Sequence, residues 1–193
     1  MRKLLIMCLM MAMGFTIKAQ TKGPTKEQTI TFIKDYFAEH QNISRTMSSR
    51  SSLSFTNIQV LFNDCYATVS WNANTSYFDM TPDYLNKTIV RKNKVIVEFK
   101  NIESVMIRPY GNNNDNNEYQ ADLTLKSAPN TTFDIYETDK DNITERRSVK
   151  EVNIPVNSYS CSSCDHSAYS KKIFQAFNHL RNLCGAPESI SFD

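Results

Sequence analysis

The chain is poor in glycine, and its few glycines stand far apart. The 193 residues contain only Gly14, Gly23, Gly111 and Gly185. Phosphate-binding loops and nucleophile elbows need glycines at close fixed spacing, because the backbone there turns sharply or approaches a phosphate. The sequence therefore excludes a G-x-G-x-x-G fingerprint, a P-loop and a G-x-S-x-G elbow.

Histidine is also scarce, and its three positions form no recognisable catalytic pattern. His40 stands at the expected end of the first helix, where an imidazolium interacts favourably with the helix dipole. His179 lies beside the apolar stripe of the last helix, where a surface or hydrogen-bonded position is expected. The segment Asp139 to Glu145 lacks the glycine that a calcium loop needs for its turn. We predict no catalytic residue, no metal site and no cofactor.

A one-sided cluster of positive charge is missing once the first 19 residues are set aside. Residues 1–19 combine a basic start, an apolar run too short to span a bilayer comfortably, and Ala19, which predicts a secretory signal peptide. Its three basic residues account for the positive balance, since removing them leaves 19 basic against 20 acidic residues. We expect an exported protein, periplasmic or extracellular, with no membrane span and no nucleic-acid partner.

Residues 20–52 are predicted to form an N-terminal helix and a linker. Thr25 and Gln28 have the spacing of a capping box, and the apolar pattern that follows predicts a helix at about Lys26 to Glu39. The stretch from Gln41 to Ser52 is polar and has no periodicity. We interpret it as a linker.

Residues 53–193 are predicted to form one antiparallel β domain with a C-terminal helix. Apolar residues alternate with polar ones from Ser54 to Val156, and Asn63-Asp64 marks a hairpin turn or a bulge. This pattern predicts a meander of six or seven strands. The gap from Ala73 to Lys87 is interpreted as an ordered loop, and its aromatic residues are candidate ligand-binding residues: Tyr77, Phe78 and Tyr84.

The last predicted element is an amphipathic helix from Ser167 to Cys184. Gly185 and Pro187 are typical of the residues that end a helix. A helix of this length is marginal in water on its own, so its apolar stripe must lie against the sheet. The stripe consists of Tyr169, Ile173, Phe177, Leu180 and Cys184.

This order of elements resembles the pleckstrin-homology-like superfold, a bent antiparallel sheet or partly closed barrel with a C-terminal capping helix. The segments Val97 to Val105 and Lys171 to Leu180 also look like segments of small secreted bacterial proteins of unknown function. Lipid-binding members read phosphates with basic residues in the first hairpin, where this chain has Asn63-Asp64. That departure argues against phosphoinositide binding. A lipocalin-like barrel and an α+β cystatin-like fold are the competing shapes.

Four cysteines remain after the signal peptide, and they allow three interpretations. In an exported protein they are expected to form disulfides, and the local pair Cys161–Cys164 is favoured. The second interpretation is a zinc site formed by Cys161, Cys164, His166 and Cys184. A helix from Ser167 to Cys184 spans about 25 Å, which is too long for Cys184 to share a metal ion with the other three residues or to form a disulfide with Cys161 or Cys164. The third interpretation is a redox pair, because a C-x-x-C at a helix start has an acidified thiol.

The absence of catalytic patterns favours a binding function. We expect an exported, non-catalytic binding or interaction module whose partner is a protein or small-molecule ligand that the residues do not identify. The alternative is a thiol-disulfide redox protein that uses Cys161 and Cys164.

Overall fold

The protein is an α+β structure whose strand pairings are antiparallel. The computed structural model describes residues 23–48, 51–77, 87–110, 120–156 and 166–187. Within these ranges there are two helices, α1 (Lys26–Glu39) and α2 (His166–Leu183), and a short 3-10 helix, Phe99–Asn101. The strands are β1 (Ile43–Ser48), β2 (Ser51–Asn63), β3 (Tyr66–Tyr77), β4 (Lys87–Glu98), β5 (Ile102–Tyr110), β6 (Gln120–Ser127), β7 (Phe133–Thr138), β8 (Thr144–Val149) and β9 (Glu151–Val156).

The strands form two separate sheets. The larger sheet has the order β1-β2-β3-β4-β7-β8, and the smaller has the order β5-β6-β9. The chain therefore leaves the larger sheet after β4, returns to it for β7 and leaves it again after β8. The larger sheet ends at β1 and β8 and is not closed.

Helix α1 begins and ends as its sequence predicts. The Thr25 side chain accepts a hydrogen bond from the backbone N–H of Gln28, and the Gln28 side chain accepts one from the backbone N–H of Thr25. This reciprocal pair satisfies backbone donors that have no partner inside the helix. Ile33 and Phe37 face the core.

Helix α2 covers the predicted span with a shift of one residue at each end. Ile173, Phe177 and Leu180 are fully buried, so the predicted apolar stripe is the contact face. Gly185 has a positive φ, and the backbone N–H groups of Gly185 and Ala186 donate to the carbonyls of Asn182 and Arg181. This pattern ends the helix, because it satisfies carbonyls of the last turn.

A chain of aromatic rings joins the two helices to the end of β2 and to the 3-10 helix. The Phe177 ring lies 6.5 Å from that of Phe37 and 5.6 Å from that of Phe99, measured between ring centroids. Phe99 in turn stacks against Phe62, with 5.9 Å between the ring centroids. These contacts dock both helices on the sheets, which confirms that the C-terminal helix belongs to the core.

The segment interpreted as a linker contains a strand. β1 pairs with the first half of β2, and both Ile43 and Arg45 are buried. The sequence of β1 alone is typical of a linker because it is mostly polar. Its buried residue Arg45 contacts β6, which is distant in sequence. The interpretation of Gln41 to Ser52 as a linker is wrong for this stretch.

The predicted loop from Ala73 to Lys87 is partly strand. β3 runs on to Tyr77 and β4 begins at Lys87, with continuous pairing between them. The remaining part, residues 78–86, lies outside the described residues. Period-two burial ends near Ala73 because the strands extend beyond the core, so the sequence shows no alternation there.

Candidate functional site

A polar groove lies on the outer face of the larger sheet, on the side away from the core. It has a volume of about 510 Å³. The alternation of each strand separates this face from the buried one, since Val69 and Val95 point inward and Ser70 and Lys94 point outward. The groove is lined by Asn57, Gln59, Ser70, Trp71, Asn72, Lys92, Asn93, Lys94, Tyr136, Thr138 and Thr144.

The pairing registers bring these side chains together from five strands. One row of directly opposed residues runs across the groove through β2, β3, β4, β7 and β8. Its members are Gln59, Ser70, Lys94, Tyr136 and Arg146. A second row lies beside it and consists of Asn72, Lys92, Thr138 and Thr144. Side chains opposed in this way stand about 5 Å apart at Cβ, close enough to contact one ligand.

A bulge shapes the end of the groove on β2. The register between β2 and β3 shifts between Thr56 and Gln59, and Asn57 has a φ of 54°. An asparagine tolerates this left-handed conformation better than most residues. The bulge lies at this end of the groove, and Asn57 is one of the lining residues.

The groove carries positive charge. Within the described part of the chain, Lys92 and Lys94 form no ion pair, and the lining contains no carboxylate. The Lys94 Nζ lies 5.5 Å from the centroid of the Tyr136 ring, on which Arg146 also lies at 5.9 Å. Tyr136 therefore has cations near it from two neighbouring strands.

Arg146 differs from the two lysines because it forms an ion pair with a carboxylate. Its Nη2 donates to Asp134 at 2.9 Å, and Ser148 donates to the same carboxyl group. The Arg146 hydrogen bond lowers the pKa of Asp134, with a smaller contribution from Ser148. Asp134 is therefore ionised at neutral pH and offsets the charge of Arg146, which leaves the lysines as the uncompensated cations of this face.

Of the three predicted aromatic ligand-binding residues, Tyr77 alone lies within the described part of the chain. Tyr77 lies at the end of β3 with about half of its side chain exposed, and it does not line the groove. Phe78 and Tyr84 lie outside the described residues. The role of these three residues in ligand binding stays a prediction.

The structure joins Cys65 to Cys184 by a disulfide, with a Cα–Cα distance of 5.7 Å. This bond ties the turn between β2 and β3 to the end of α2. It agrees with the inference that Cys184 is too far along the helix to bridge Cys161 or Cys164, and it removes Cys184 from the zinc set considered above. Cys161 and Cys164 lie outside the described residues, so their pairing stays a prediction.

The two histidines whose side chains are described have structural contacts. His40 Nδ1 lies 2.7 Å from the Tyr36 carbonyl oxygen at the end of α1, and its ring stacks on Tyr36. His179 Nε2 lies 2.6 Å from the Pro24 carbonyl oxygen, which ties α2 to the segment that leads into α1. The helix-end position of His40 and the hydrogen-bonded position of His179 are confirmed.

The carboxylate of Asp139 stabilises a turn. Its Oδ1 accepts hydrogen bonds from the backbone N–H groups of Asp141 and Ile143, each at 2.9 Å. The turn joins β7 to β8.

Across the described ranges, no three His, Cys, Asp or Glu side chains are grouped so as to hold a metal ion. In the same ranges, neither helix is long and apolar enough to cross a membrane.

Comparison of the chain with protein-family profiles, with curated proteins and with solved structures found no match. The groove is therefore interpreted from its own residues.

Sequence reasoning missed the groove, although one signal for it was present. Lys92 and Lys94 alternate with Asn93 and Val95, so a strand through this segment places both lysines on the outer face. Their partner Tyr136 is more than 40 positions away, and its arrival opposite Lys94 depends on the pairing of β4 with β7. That pairing is not readable from local periodicity.

Proposed function

We propose that this protein is an exported, non-catalytic binding protein whose ligand occupies the groove on the larger sheet. The observation that carries the proposal is the lining of the groove. It combines two uncompensated lysines with hydrogen-bonding amides and hydroxyls in a concave site of about 510 Å³. That volume lies within the range typical of small-molecule sites.

The chemistry of the lining favours binding over catalysis. Acid–base and nucleophilic mechanisms use a nucleophile beside a base, or two titratable groups with different environments. Among the described residues, the groove contains no carboxylate, imidazole or thiol, and its titratable groups are the two lysines and Tyr136. Its groups are suited to holding and orienting a ligand by charge and hydrogen bonds.

Export is supported by two features. Residues 1–19 have the order of a signal peptide, and disulfides such as Cys65–Cys184 persist in oxidising compartments. We expect the exported protein to begin at Gln20. Intact-mass measurement on protein from the exported fraction of its host tests this, and a mass that includes residues 1–19 contradicts it.

The resemblance to the pleckstrin-homology-like superfold belongs to this proposal too. It is supported by the C-terminal helix that packs on a core between antiparallel sheets. The groove lies on the outer face of the larger sheet, so the proposed binding does not depend on this resemblance.

Backbone amide NMR with defined small molecules tests the binding function. The panel contains neutral sugars, acidic sugars, amino acids and nucleotides, each titrated up to a ligand concentration of about 10 mM. We expect at least one class to produce saturable shifts that cluster at Ser70, Lys94 and Tyr136. Ser70→Trp fills the groove and should abolish them, whereas Gln175→Trp on the exposed side of α2 should not. The absence of any saturable shift at the groove contradicts the proposal.

A further inference from the structure

The charge of the groove specifies the sign of the ligand charge. Lys92 and Lys94 are exposed and stand on the same face of β4. Side chains two residues apart in a strand are separated by about 7 Å, so their flexible stems allow both ammonium groups to approach one anionic group. With no carboxylate in the described lining, an anion gains from both lysines, and the carboxylate of Asp134 on the same face is bonded to Arg146.

The remaining lining specifies a ligand that is rich in hydroxyl groups. Amides and hydroxyls contribute donors and acceptors on both sides of β4, from Asn57, Gln59, Ser70, Asn72, Thr138 and Thr144. The hydroxyls of Thr138 and Thr144 bond to each other. A ligand that displaces water from the other groups must replace the hydrogen bonds that the water made. An apolar anion such as a fatty acid leaves them without partners, whereas a hydroxylated anion satisfies them.

Tyr136 adds an aromatic surface in the row that also contains Ser70 and Lys94. It is partly exposed and lies opposite Lys94. A sugar ring presents hydroxyls at its edge and C–H groups on its face, so it can contact both the polar lining and an aromatic side chain. This combination of two cations, polar groups and one aromatic ring is more selective than a surface with lysines alone.

We infer that the groove binds an acidic sugar, with Lys92 and Lys94 holding its anionic group and the amides and hydroxyls holding its ring. This inference rests on the proposed binding function and names the ligand class for that same groove. The contrasting interpretation is that the two lysines are ordinary solvated residues that keep an exposed sheet face soluble.

Titration with matched trisaccharides separates these interpretations. The probes are trigalacturonic acid, a neutral galactose trisaccharide and a sulfated galactose trisaccharide, each followed by isothermal calorimetry and amide NMR. We expect the acidic probe to bind at the groove and the neutral probe to bind at least about tenfold more weakly, because charge-assisted hydrogen bonds are the stronger ones. Comparison of the carboxylated and sulfated probes identifies which anion is preferred.

Charge-removing variants provide the control. Lys92→Gln/Lys94→Gln should weaken binding of the acidic probe about tenfold or more and remove most of its salt dependence. The matched variant Lys34→Gln/Lys171→Gln removes two exposed lysines from the helices and should leave the affinity within about twofold. Tyr136→Leu should weaken binding, and Tyr136→Phe should retain it.

Each outcome decides a specific claim. Equal binding of the neutral and acidic probes, or equal effects of the two lysine pairs, overturns the acidic-sugar inference while the binding function stands. Failure of both anionic probes to shift groove resonances at 10 mM also overturns the inference. The panel described under the proposed function then decides whether the groove binds any other ligand.

Discussion

Arg45 and Asp122 form a buried ion pair that joins the two sheets. The Nη2 of Arg45, on β1, lies 2.7 Å from Oδ1 of Asp122, on β6, and also donates to the Ala121 carbonyl at 2.9 Å. The Arg45 side chain is 2% exposed and its guanidinium lies over the Phe55 ring. β1 is therefore fixed to a strand that it does not pair with.

Asp122→Ala should destabilise the protein by about 3–5 kcal/mol, because it leaves the Arg45 charge buried without its partner. Urea unfolding at pH 7 measures this. Asp134→Ala breaks an ion pair between an exposed arginine and a half-buried aspartate, and it should have a much smaller effect. The double variant Arg45→Met/Asp122→Leu should recover most of the loss, since it removes both charges. A small effect of Asp122→Ala would show that the pair does not hold the sheets together.

This pair also explains why β1 was missed in the sequence. Ile43 to Ser48 is mostly polar, and Arg45 is buried only because Asp122 lies 77 positions away in sequence and next to it in space. β8 is also not recognisable from its own sequence, for a different reason. Its side chains are almost all exposed, so it is defined by pairing with β7 and not by a hydrophobic pattern.

The elements that sequence reasoning did predict are those whose signals are local. In each of these signals, one residue lies within a few positions of the next. Examples are the capping residues of α1, the apolar stripe of α2 and the inward alternation of Val95 and Val97. The groove and the Cys65–Cys184 disulfide each join distant segments. They depend on the order of strands in the sheet, which the periodicity of any single segment does not contain.

Phe177→Ala should destabilise the protein by about 3–5 kcal/mol, because the ring is fully buried between Phe37 and Phe99 and its removal leaves a cavity. Thermal and urea unfolding measure the change. Gln175→Ala, two positions earlier on the exposed side of α2, is the matched control and should have little effect. An unchanged midpoint for Phe177→Ala would mean that α2 does not contribute to the core.

Cys65→Ala/Cys184→Ala should reduce the free energy of unfolding by about 4 kcal/mol, because the bond restricts an unfolded chain over a separation of 119 residues. Urea unfolding of oxidised protein measures the loss. The comparison is made in a Cys161→Ser/Cys164→Ser background, so that no other cysteine exchanges with this pair. Equal stability with and without Cys65 and Cys184 contradicts a structural role for the disulfide.

Asp134 should contribute to the pH dependence of stability. The hydrogen bond from Arg146 lowers its pKa below the ordinary value of 3.8. A carboxyl group with a depressed pKa in the folded state stabilises the protein above the ordinary pKa, and this contribution is lost as pH falls through the folded-state value. The stability difference between wild type and Asp134→Asn should therefore shrink between pH 7 and pH 3. Urea unfolding at both pH values tests it, and 1 M NaCl should reduce the difference at pH 7.

Cys161 and Cys164 should be joined to each other in exported protein. Four cysteines follow the predicted signal peptide, and Cys65 and Cys184 are bonded to each other. Cys161 and Cys164 therefore remain as a pair, and they lie three positions apart in the chain. Peptide mapping without reductant, on protein isolated from the exported fraction, should recover both in one linked fragment. A bridge of this size stabilises by about 2 kcal/mol, so Cys161→Ser/Cys164→Ser should lower stability less than loss of Cys65–Cys184 does. Two alkylatable thiols would contradict the pairing, whereas a bridge that glutathione buffers reduce readily would favour the thiol-disulfide redox function over a structural one.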